Sequence, residues 1–173
     1  MERRNAWKTY TQEQLKELDQ INDRYKVCLD EGKTERECIR LTVKEIEKQG
    51  YRNLNDIKGS LKTGDKVYAV CMGKSIAMFR IGKEPLENGM NILGAHIDSP
   101  RIDVKQNPLY ENEELAYLDT HYYGGIKKYQ WVTLPLALHG VIVKTDGTVQ
   151  EVSIGEKEED PVSVSYTHLR AHE

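Results

Sequence analysis

The spacing of the apolar residues changes along the chain from a helical to an extended pattern, and this change constrains the fold more than any other feature. Up to Gly50, apolar residues recur at intervals of three and four, which is typical of amphipathic helices. After Gly64, β-forming residues occur in short runs separated by turn-forming residues, which is typical of strands. The sequence therefore predicts two helices, then a mixed α/β stretch, then a region made mostly of strands, with the boundary near Ser99.

Each predicted helix begins with a capping box, in which a threonine and the residue three positions later satisfy each other's backbone N–H groups. Thr11 and Gln14 begin the first helix, and Thr34 and Glu37 begin the second. Gly32 is the predicted end of the first helix, because glycine is common just after a helix C-terminus.

A β-hairpin is predicted after the helices, formed by Lys66–Cys71 and residues 76–81. Gly73 and Lys74 fit its two-residue turn. Residues 90–96 carry mainly apolar side chains and are predicted to form a short buried strand. Further strands are predicted at residues 101–106, 131–138, 140–144 and 149–154, with a turn at residues 145–148.

The charge balance and the N-terminus limit the partners and the compartment that we expect. The 25 Lys and Arg residues stand against 28 Asp and Glu, a net charge of −3, so no excess of basic charge is present to hold a nucleic acid or an anionic membrane. No apolar run is long enough to span a bilayer, and residues 1–10 lack the apolar core of a signal peptide. We expect a cytoplasmic protein with no nucleic-acid or membrane partner.

The cysteines do not indicate a disulfide framework or a thiolate zinc site. Cys28, Cys38 and Cys71 are odd in number and lack the C-x-x-C spacing. Cys28 and Cys38 have apolar neighbours in the predicted helices, and we expect both to be buried as small hydrophobic residues.

His96 and Asp98 are the residues with the strongest chemical signal. In a strand, residues two positions apart point to the same side, so both would project from the C-terminal end of the predicted buried strand, where α/β sheets bind ligands. Imidazole is a common metal ligand, and a neighbouring carboxylate can fix the tautomer of its ring. The alternative interpretation is a polar pair with a structural role only.

A second unusual segment is Tyr122-Tyr123-Gly124-Gly125. Two glycines after two tyrosines indicate a turn or a close backbone approach, and the segment could either line a pocket or connect two strands. His121 and His139 have no partner at ligand spacing, so we interpret them as surface or core histidines.

These segments resemble the M18 metallo-aminopeptidases, the aspartyl aminopeptidase family. Residues 94–103, which contain His96-Ile97-Asp98-Ser99-Pro100, are similar to the H-x-D-S-P segment of that family. Residues 115–118, 120–131 and 135–141 are similar to its bacterial branch. The resemblance runs from about the first helix to about Pro161.

The resemblance implies a zinc exopeptidase with a two-metal site that removes N-terminal residues, preferably acidic ones, from peptide substrates. It implies an α/β fold in which residues 1–98 are the N-terminal portion of the catalytic domain. Residues 99–161 would begin an inserted β-rich domain that helps to build homo-oligomers. By the match, His96 is a zinc ligand and Asp98 is the catalytic-site aspartate that orients it.

The chain also departs from the family pattern. The resemblance implies a bridging aspartate, a Glu-Glu pair and a C-terminal histidine after the inserted domain, and the sequence has no counterpart of them; Glu158-Glu159 is interpreted as a solvated turn. Because one histidine cannot hold two zinc ions, we expect a truncated and inactive fragment. Residues 162–173 do not resemble the family, and we interpret them as a non-native tail.

Two other functions are compatible with the sequence. In the first, the chain is a non-enzymatic module whose β-rich half serves assembly or interaction. In the second, it is an unrelated α/β hydrolase or binding domain, and His96 and Asp98 form only a structural pair.

Overall fold

The computed structural model of the protein describes residues 5–165, which divide into two compact units between Ile97 and Asp98. The first unit contains two helices, α1 (Gln12–Glu31) and α2 (Glu35–Lys48), and three strands, β1 (Arg52–Asn53), β2 (Lys66–Cys71) and β3 (Ser75–Arg80). The second contains strands β4 (Arg101–Asn112), β5 (Leu115–Tyr123), β6 (Pro135–Leu136), β7 (Leu138–Val143), β8 (Val149–Ile154) and β9 (Ser163–Val164). Short 3-10 helices lie at Ala6–Lys8, Leu54–Asp56, Leu86–Asn88 and Lys128–Gln130. The predicted combination of helices and sheet is confirmed.

Both capping boxes form as predicted. The backbone N–H of Thr11 donates to Oε1 of Gln14 at 2.9 Å, and the N–H of Gln14 donates to the Thr11 hydroxyl at 3.3 Å. The same exchange joins Thr34 and Glu37, at 2.8 and 3.3 Å. Each box satisfies backbone donors that a helix start would otherwise leave without partners.

Gly32 lies directly after α1, as predicted, and the reason is close packing. A Cβ atom at this position would lie 2.7 Å from the carbonyl oxygen of Cys28 and 2.9 Å from Sγ of Cys38. The two helices can therefore approach each other at this point only because glycine has no side chain.

The buried apolar core of the described residues lies in the first unit, between α2 and the sheet. Its members are Ile39 and Ile46 from α2 and Val67 and Tyr68 from β2, of which Val67 is 1% exposed. The Tyr68 hydroxyl donates to Oε1 of Glu47 at 2.6 Å, and this hydrogen bond raises the pKa of Tyr68. The polar end of a buried tyrosine thus has the partner that burial requires.

Helix α1 has no buried residue, although its sequence predicts an apolar face. Ile21 and Tyr25 on that face are exposed. Cys28 is exposed and Cys38 is half-buried, so the prediction that both are buried is wrong. Helical spacing identified the helix correctly, but spacing does not reveal whether a partner covers its apolar side. All three cysteines are free thiols.

The sheet of the first unit has the order β1-β2-β3, with β1 parallel and β3 antiparallel to β2. The turn between β2 and β3 lies one residue earlier than predicted. Met72 and Gly73 have positive φ angles of 52° and 66°, and the N–H of Lys74 donates to the carbonyl oxygen of Cys71 at 3.0 Å. The sequence predicted Gly73 as the first turn residue because glycine suits that position, whereas in the structure Met72 takes it with a positive φ, which is uncommon for methionine.

Residues 89–100 contain no helix or strand, so the predicted buried strand at residues 90–96 is wrong. Ile92 and Leu93 are exposed, Leu93 completely at 101%. A strand that is buried on both faces needs hydrogen-bonded neighbours, and the sheets within residues 5–165 include no strand from this segment. An apolar run can reveal a tendency to be buried, but it cannot supply the neighbouring strand.

The second unit consists of antiparallel strand pairs. Strand β4 pairs with β5, and the register shifts between Val104 and Leu109 because β4 contains extra residues there. Strand β7 pairs with β8, and the predicted turn at residues 145–148 is confirmed by the hydrogen bond from the Lys144 N–H to the Thr148 carbonyl at 2.9 Å.

The short strands β6 and β9 also pair. Residues 163 and 164 of the predicted tail therefore take part in the fold of the second unit, whereas residues 166–173 lie outside the described part of the chain.

Within residues 5–165, no helix combines the length and the apolar character that crossing a membrane requires.

Candidate active site

His96 and Asp98 lie on either side of the division between the two units. His96 belongs to the irregular segment 89–100 of the chain and is exposed, while Asp98 is the first residue of the second unit and is half-buried. The backbone carbonyl of Ile97, between them, lies 3.9 Å from the Cys38 thiol, a long and weak hydrogen bond.

The Cys38 thiol itself shows no sign of a reactive role. Burial is the main cause that raises its pKa, and the carboxylates of Glu37 and Glu35 add to the effect. Because the thiolate is the nucleophilic form, a raised pKa disfavours that form at neutral pH.

Asp98 accepts a hydrogen bond from a tyrosine at the end of β5, the second strand of the β4–β5 hairpin. The Tyr123 hydroxyl donates to Oδ2 of Asp98 at 2.9 Å. A hydrogen bond to an ionised carboxylate is stronger than one between neutral groups. Tyr123 is the last residue of β5, so the strand pairing determines where this hydroxyl lies.

Arg101 holds the ring of Tyr123 from the adjacent strand. The two residues are register partners in the hairpin, and the Arg101 guanidinium carbon lies 4.2 Å from the centre of the Tyr123 ring. Nε of Arg101 also donates to Oδ1 of Asp103 at 2.7 Å. The ion pair, the cation–π contact and the hydrogen bond from Tyr123 therefore form one continuous cluster. Its members are Asp103, Arg101, Tyr123 and Asp98.

Gly124 lets the chain turn away immediately after Tyr123. Its φ angle is +72°, and a Cβ atom there would lie 3.5 Å from Pro100. The structure thus brings Asp98 and Pro100 next to Tyr123 and Gly124, which the sequence presents as separate features. The chain bends at Gly124 directly after β5, which agrees with the interpretation of residues 122–125 as a connection, and the Tyr123 hydroxyl in addition binds Asp98.

The other two histidines that the sequence singled out have local partners. Nδ1 of His121 lies 3.4 Å from the carbonyl oxygen of Tyr122. Nε2 of His139, on β7, lies 2.7 Å from Oε1 of Glu156, and the His139 side chain is only 13% exposed. Both contacts agree with the interpretation as surface or core histidines.

His96 and Asp98 provide only part of what a zinc site needs. An imidazole and an orienting carboxylate suit the donor chemistry of zinc, but a zinc ion is usually held by four ligands. Among residues 5–165, no group of three or more His, Cys, Asp or Glu side chains is arranged to hold a metal ion. The described part of the chain therefore does not form a complete metal centre.

The sequence singled out His96 and Asp98 as candidates, but it did not reveal the contacts by which Tyr123, Arg101 and Asp103 surround Asp98. The only signal for Tyr123 was its position before two glycines, which suggested a close backbone approach. The alternation of residues 101–106 predicted the strand that carries Arg101, but not its partner.

Comparison with known proteins gives a consistent assignment. The family model for aminopeptidase I zinc metalloproteases (M18) matches residues 28–171, which includes much of the segment 162–173. A protein of Clostridium acetobutylicum named "Probable M18 family aminopeptidase 1" is 62% identical over 164 residues, which cover 93% of this chain and 35% of that protein.

Solved structures agree with the sequence comparison. Aminopeptidase I from Borrelia burgdorferi matches with a TM-score of 0.88 and 40% identity, over 96% of this chain and 41% of that one. An M18 family aminopeptidase from Thermotoga maritima matches with a TM-score of 0.85 and 42% identity, over 99% of this chain and 38% of that one. The chain spans about 35% of the length of the curated relatives it matches, and it belongs to the M18 family of zinc metallo-aminopeptidases.

Proposed function

We propose that this chain is the N-terminal part of a zinc-dependent aminopeptidase that removes N-terminal residues, preferably acidic ones, from peptides. The observation that carries the proposal is the 62% identity to an M18 aminopeptidase over 164 residues, of which this chain matches 35%. The hydrogen-bonded position of Asp98 within the matched segment supports it.

In this proposal, His96 is a zinc ligand and Asp98 is the carboxylate that orients its ring. A carboxylate that accepts a hydrogen bond from one ring N–H leaves the lone pair of the other nitrogen available to a metal. Two zinc ions would activate a water and stabilise a developing oxyanion. The remaining ligands and the general base would come from the part of the relatives that this chain does not span, so the 173-residue chain alone is inactive.

The proposed domain organisation follows the family. Residues 1–98 belong to the catalytic domain, residues 99–161 begin the inserted β-rich domain, and residues 162–173 are a non-native tail. The division of the described chain between Ile97 and Asp98 lies next to the first of these boundaries. The family match ends at residue 171 and so includes ten of the twelve residues of the proposed tail, which favours a later start for any non-native segment.

Peptides are the proposed substrates, and the complete protein is a cytoplasmic homo-oligomer without nucleic-acid or membrane partners. The net charge of −3 supports the absence of a nucleic-acid partner.

The first experiment is to read the source DNA beyond codon 161 and to express the resulting complete protein. We expect the frame to continue with the acidic and histidine motifs, and the product to contain zinc and to release N-terminal acidic residues. His96→Ala in that protein should lower the zinc content and the turnover together. Robust turnover by the 173-residue chain with added zinc would contradict the inactivity, and a zinc-loaded His96→Ala protein would contradict the ligand role.

A second candidate function, a non-enzymatic assembly module, is favoured by the β4–β5 hairpin. Leu109 is 72% exposed, and the ring of the exposed Tyr110 stacks on that of the half-buried Tyr117, with 5.2 Å between the ring centres. Sedimentation of residues 1–173 without metal tests it: concentration-dependent self-association would support this function, and a stable monomer would argue against it.

A further inference from the structure

We propose that Tyr123 is a positioning residue that holds the carboxylate of Asp98 in one orientation, with Arg101 holding Tyr123 in turn. The inference rests on the proposed function, because Asp98 matters for chemistry only if it orients His96.

The first step of the argument is the hydrogen bond itself. The phenol hydroxyl of Tyr123 donates to Oδ2 of Asp98 at 2.9 Å, across 25 residues of sequence. An aspartate side chain has two torsion angles, and a charge-assisted hydrogen bond to one of its oxygens restricts both. A tyrosine is suited to this task because its ring is rigid and its hydroxyl lies far from its own backbone.

The second step is that the ring of Tyr123 is itself held. Arg101 covers the ring at 4.2 Å, and its guanidinium is bound by Asp103 at 2.7 Å, with the two charged side chains only 26% and 29% exposed. Partial burial strengthens both contacts relative to fully solvated ones. The set of contacts that holds Asp98, called the clamp below, therefore consists of Tyr123, Arg101 and Asp103.

The third step is the backbone. Arg101 and Tyr123 are paired at the open end of the hairpin, where β4 begins and β5 ends. Asp98 lies three residues before Arg101, so the chain between them is short. The chain then bends at Gly124, whose φ is positive. Strand register, rather than a flexible loop, sets the distance between the hydroxyl and the carboxylate.

Tyr122 provides a matched control within the same strand. Neighbouring residues of a strand point to opposite faces, and Tyr122 contacts a different cation, Lys128, whose Nζ lies 4.6 Å from its ring centre. Removing its hydroxyl makes the same chemical change one residue away from Tyr123, without touching the clamp.

The first test measures the side-chain rotamer of Asp98 by NMR in the 173-residue chain, from the couplings of its α and β protons. We expect a single rotamer in the parent chain and in Tyr122→Phe, and averaged couplings in Tyr123→Phe. Cross-strand contacts between β4 and β5 verify that the hairpin is intact. Should Tyr123→Phe lose the hairpin, Arg101→Gln, which keeps the hydroxyl, is expected to give partial averaging. Unchanged Asp98 couplings in the folded variants would overturn the proposal.

The second test uses the complete protein described above and compares Tyr123→Phe with Tyr122→Phe and Asp98→Asn. Residues that orient metal ligands typically contribute about 10-fold or more to metal retention or activity, so we expect Tyr123→Phe to release zinc to a chelator about 10-fold faster and to lower kcat with little change in KM. Tyr122→Phe should behave as the parent. If Asp98→Asn changes neither zinc release nor kcat, the proposed function of Asp98 fails, even if the rotamer test shows that Tyr123 holds it. If Asp98→Asn impairs both and Tyr123→Phe impairs neither, the positioning role fails.

Discussion

The two units of the chain are stabilised by different kinds of interaction. The first unit buries Ile39, Ile46, Val67 and Tyr68 between a helix and a sheet, whereas the described residues of the second unit contribute no side chain to the buried core. The second unit relies on strand register, turns and polar clusters such as that around Arg101. Since a two-stranded hairpin alone is marginally stable in water, we conclude that substitutions should act on the global stability of the first unit and on local geometry in the second.

The largest expected effect is the loss of a buried side chain in the first unit. Ile39→Ala removes three carbon atoms from a site that is 5% exposed and should lower the free energy of unfolding by about 3 kcal/mol. The matched change in the second unit, Ile142→Ala, removes the same atoms from an exposed position of β7 and should cost less than about 1 kcal/mol. Urea denaturation followed by circular dichroism measures both. Equal losses of unfolding free energy in the two variants would contradict the proposed difference between the units.

Crowding at the contact of the two helices should give the next effect. Gly32→Ala places a Cβ atom 2.9 Å from Sγ of Cys38 on α2 and 2.7 Å from the Cys28 carbonyl oxygen of α1 itself, so α2 and the end of α1 must both shift, at a cost of about 2 kcal/mol. In Gly82→Ala the nearest atom is 4.0 Å from the new Cβ, and little change is expected. Thermal unfolding of the two variants provides the comparison, and an equally stable Gly32→Ala chain would show that α1 does not pack on α2 as described.

The two capping boxes should contribute differently to the free energy of unfolding although their geometry is the same. Thr34→Ala weakens α2, which carries core residues, and should destabilise the first unit by about 1 kcal/mol. Thr11→Ala weakens α1, which buries no residue, and should increase fraying at its N-terminus with a smaller effect on global unfolding. Hydrogen exchange of the β2 amides distinguishes the two, since it should accelerate clearly only in Thr34→Ala.

The smallest effect is expected in a turn of the second unit. Backbone N–H groups of Gly155 and then Lys157 donate to Asp160 and hold the pKa of its carboxyl below the ordinary value of 3.8. A lowered pKa means that the contribution to stability is present above the ordinary pKa and is lost as pH falls through the folded pKa. Asp160→Asn should therefore weaken this turn at neutral pH and make it less sensitive to acid.

Amide exchange at Gly155 between pH 7 and 3 measures this effect. Glu158→Gln, which makes the same charge change in the same turn, should leave the Gly155 amide as in the parent chain. Similar behaviour of the two variants would mean that net charge, rather than the hydrogen bonds of Asp160, orders the turn.

What the sequence could predict depends on the range of the interaction. The helices and their caps are encoded within a few residues, as Thr34 and Glu37 show, and they were predicted correctly. The strand at residues 90–96 was not, because its burial depends on neighbours that local spacing cannot reveal. The turn at Met72 lies one residue from the predicted position because Met72 has a positive φ, which residue preferences do not predict for methionine.

The candidate site was predictable only in part for the same reason. The triplet at His96 and Asp98 is recognisable from its residue types and its family motif. The hydrogen bond from Tyr123 spans 25 residues and depends on a hairpin whose two halves have different register. No periodicity in the sequence encodes that offset.

The register shift between Val104 and Leu109 also has an evolutionary consequence. A slip of one residue in a regular hairpin would turn every later side chain to the opposite face. The irregular stretch separates the paired base, where Arg101 meets Tyr123, from the tip beyond Leu109. We therefore expect insertions and deletions among relatives to be tolerated at the tip and in the irregular stretch, while the base keeps a constant length.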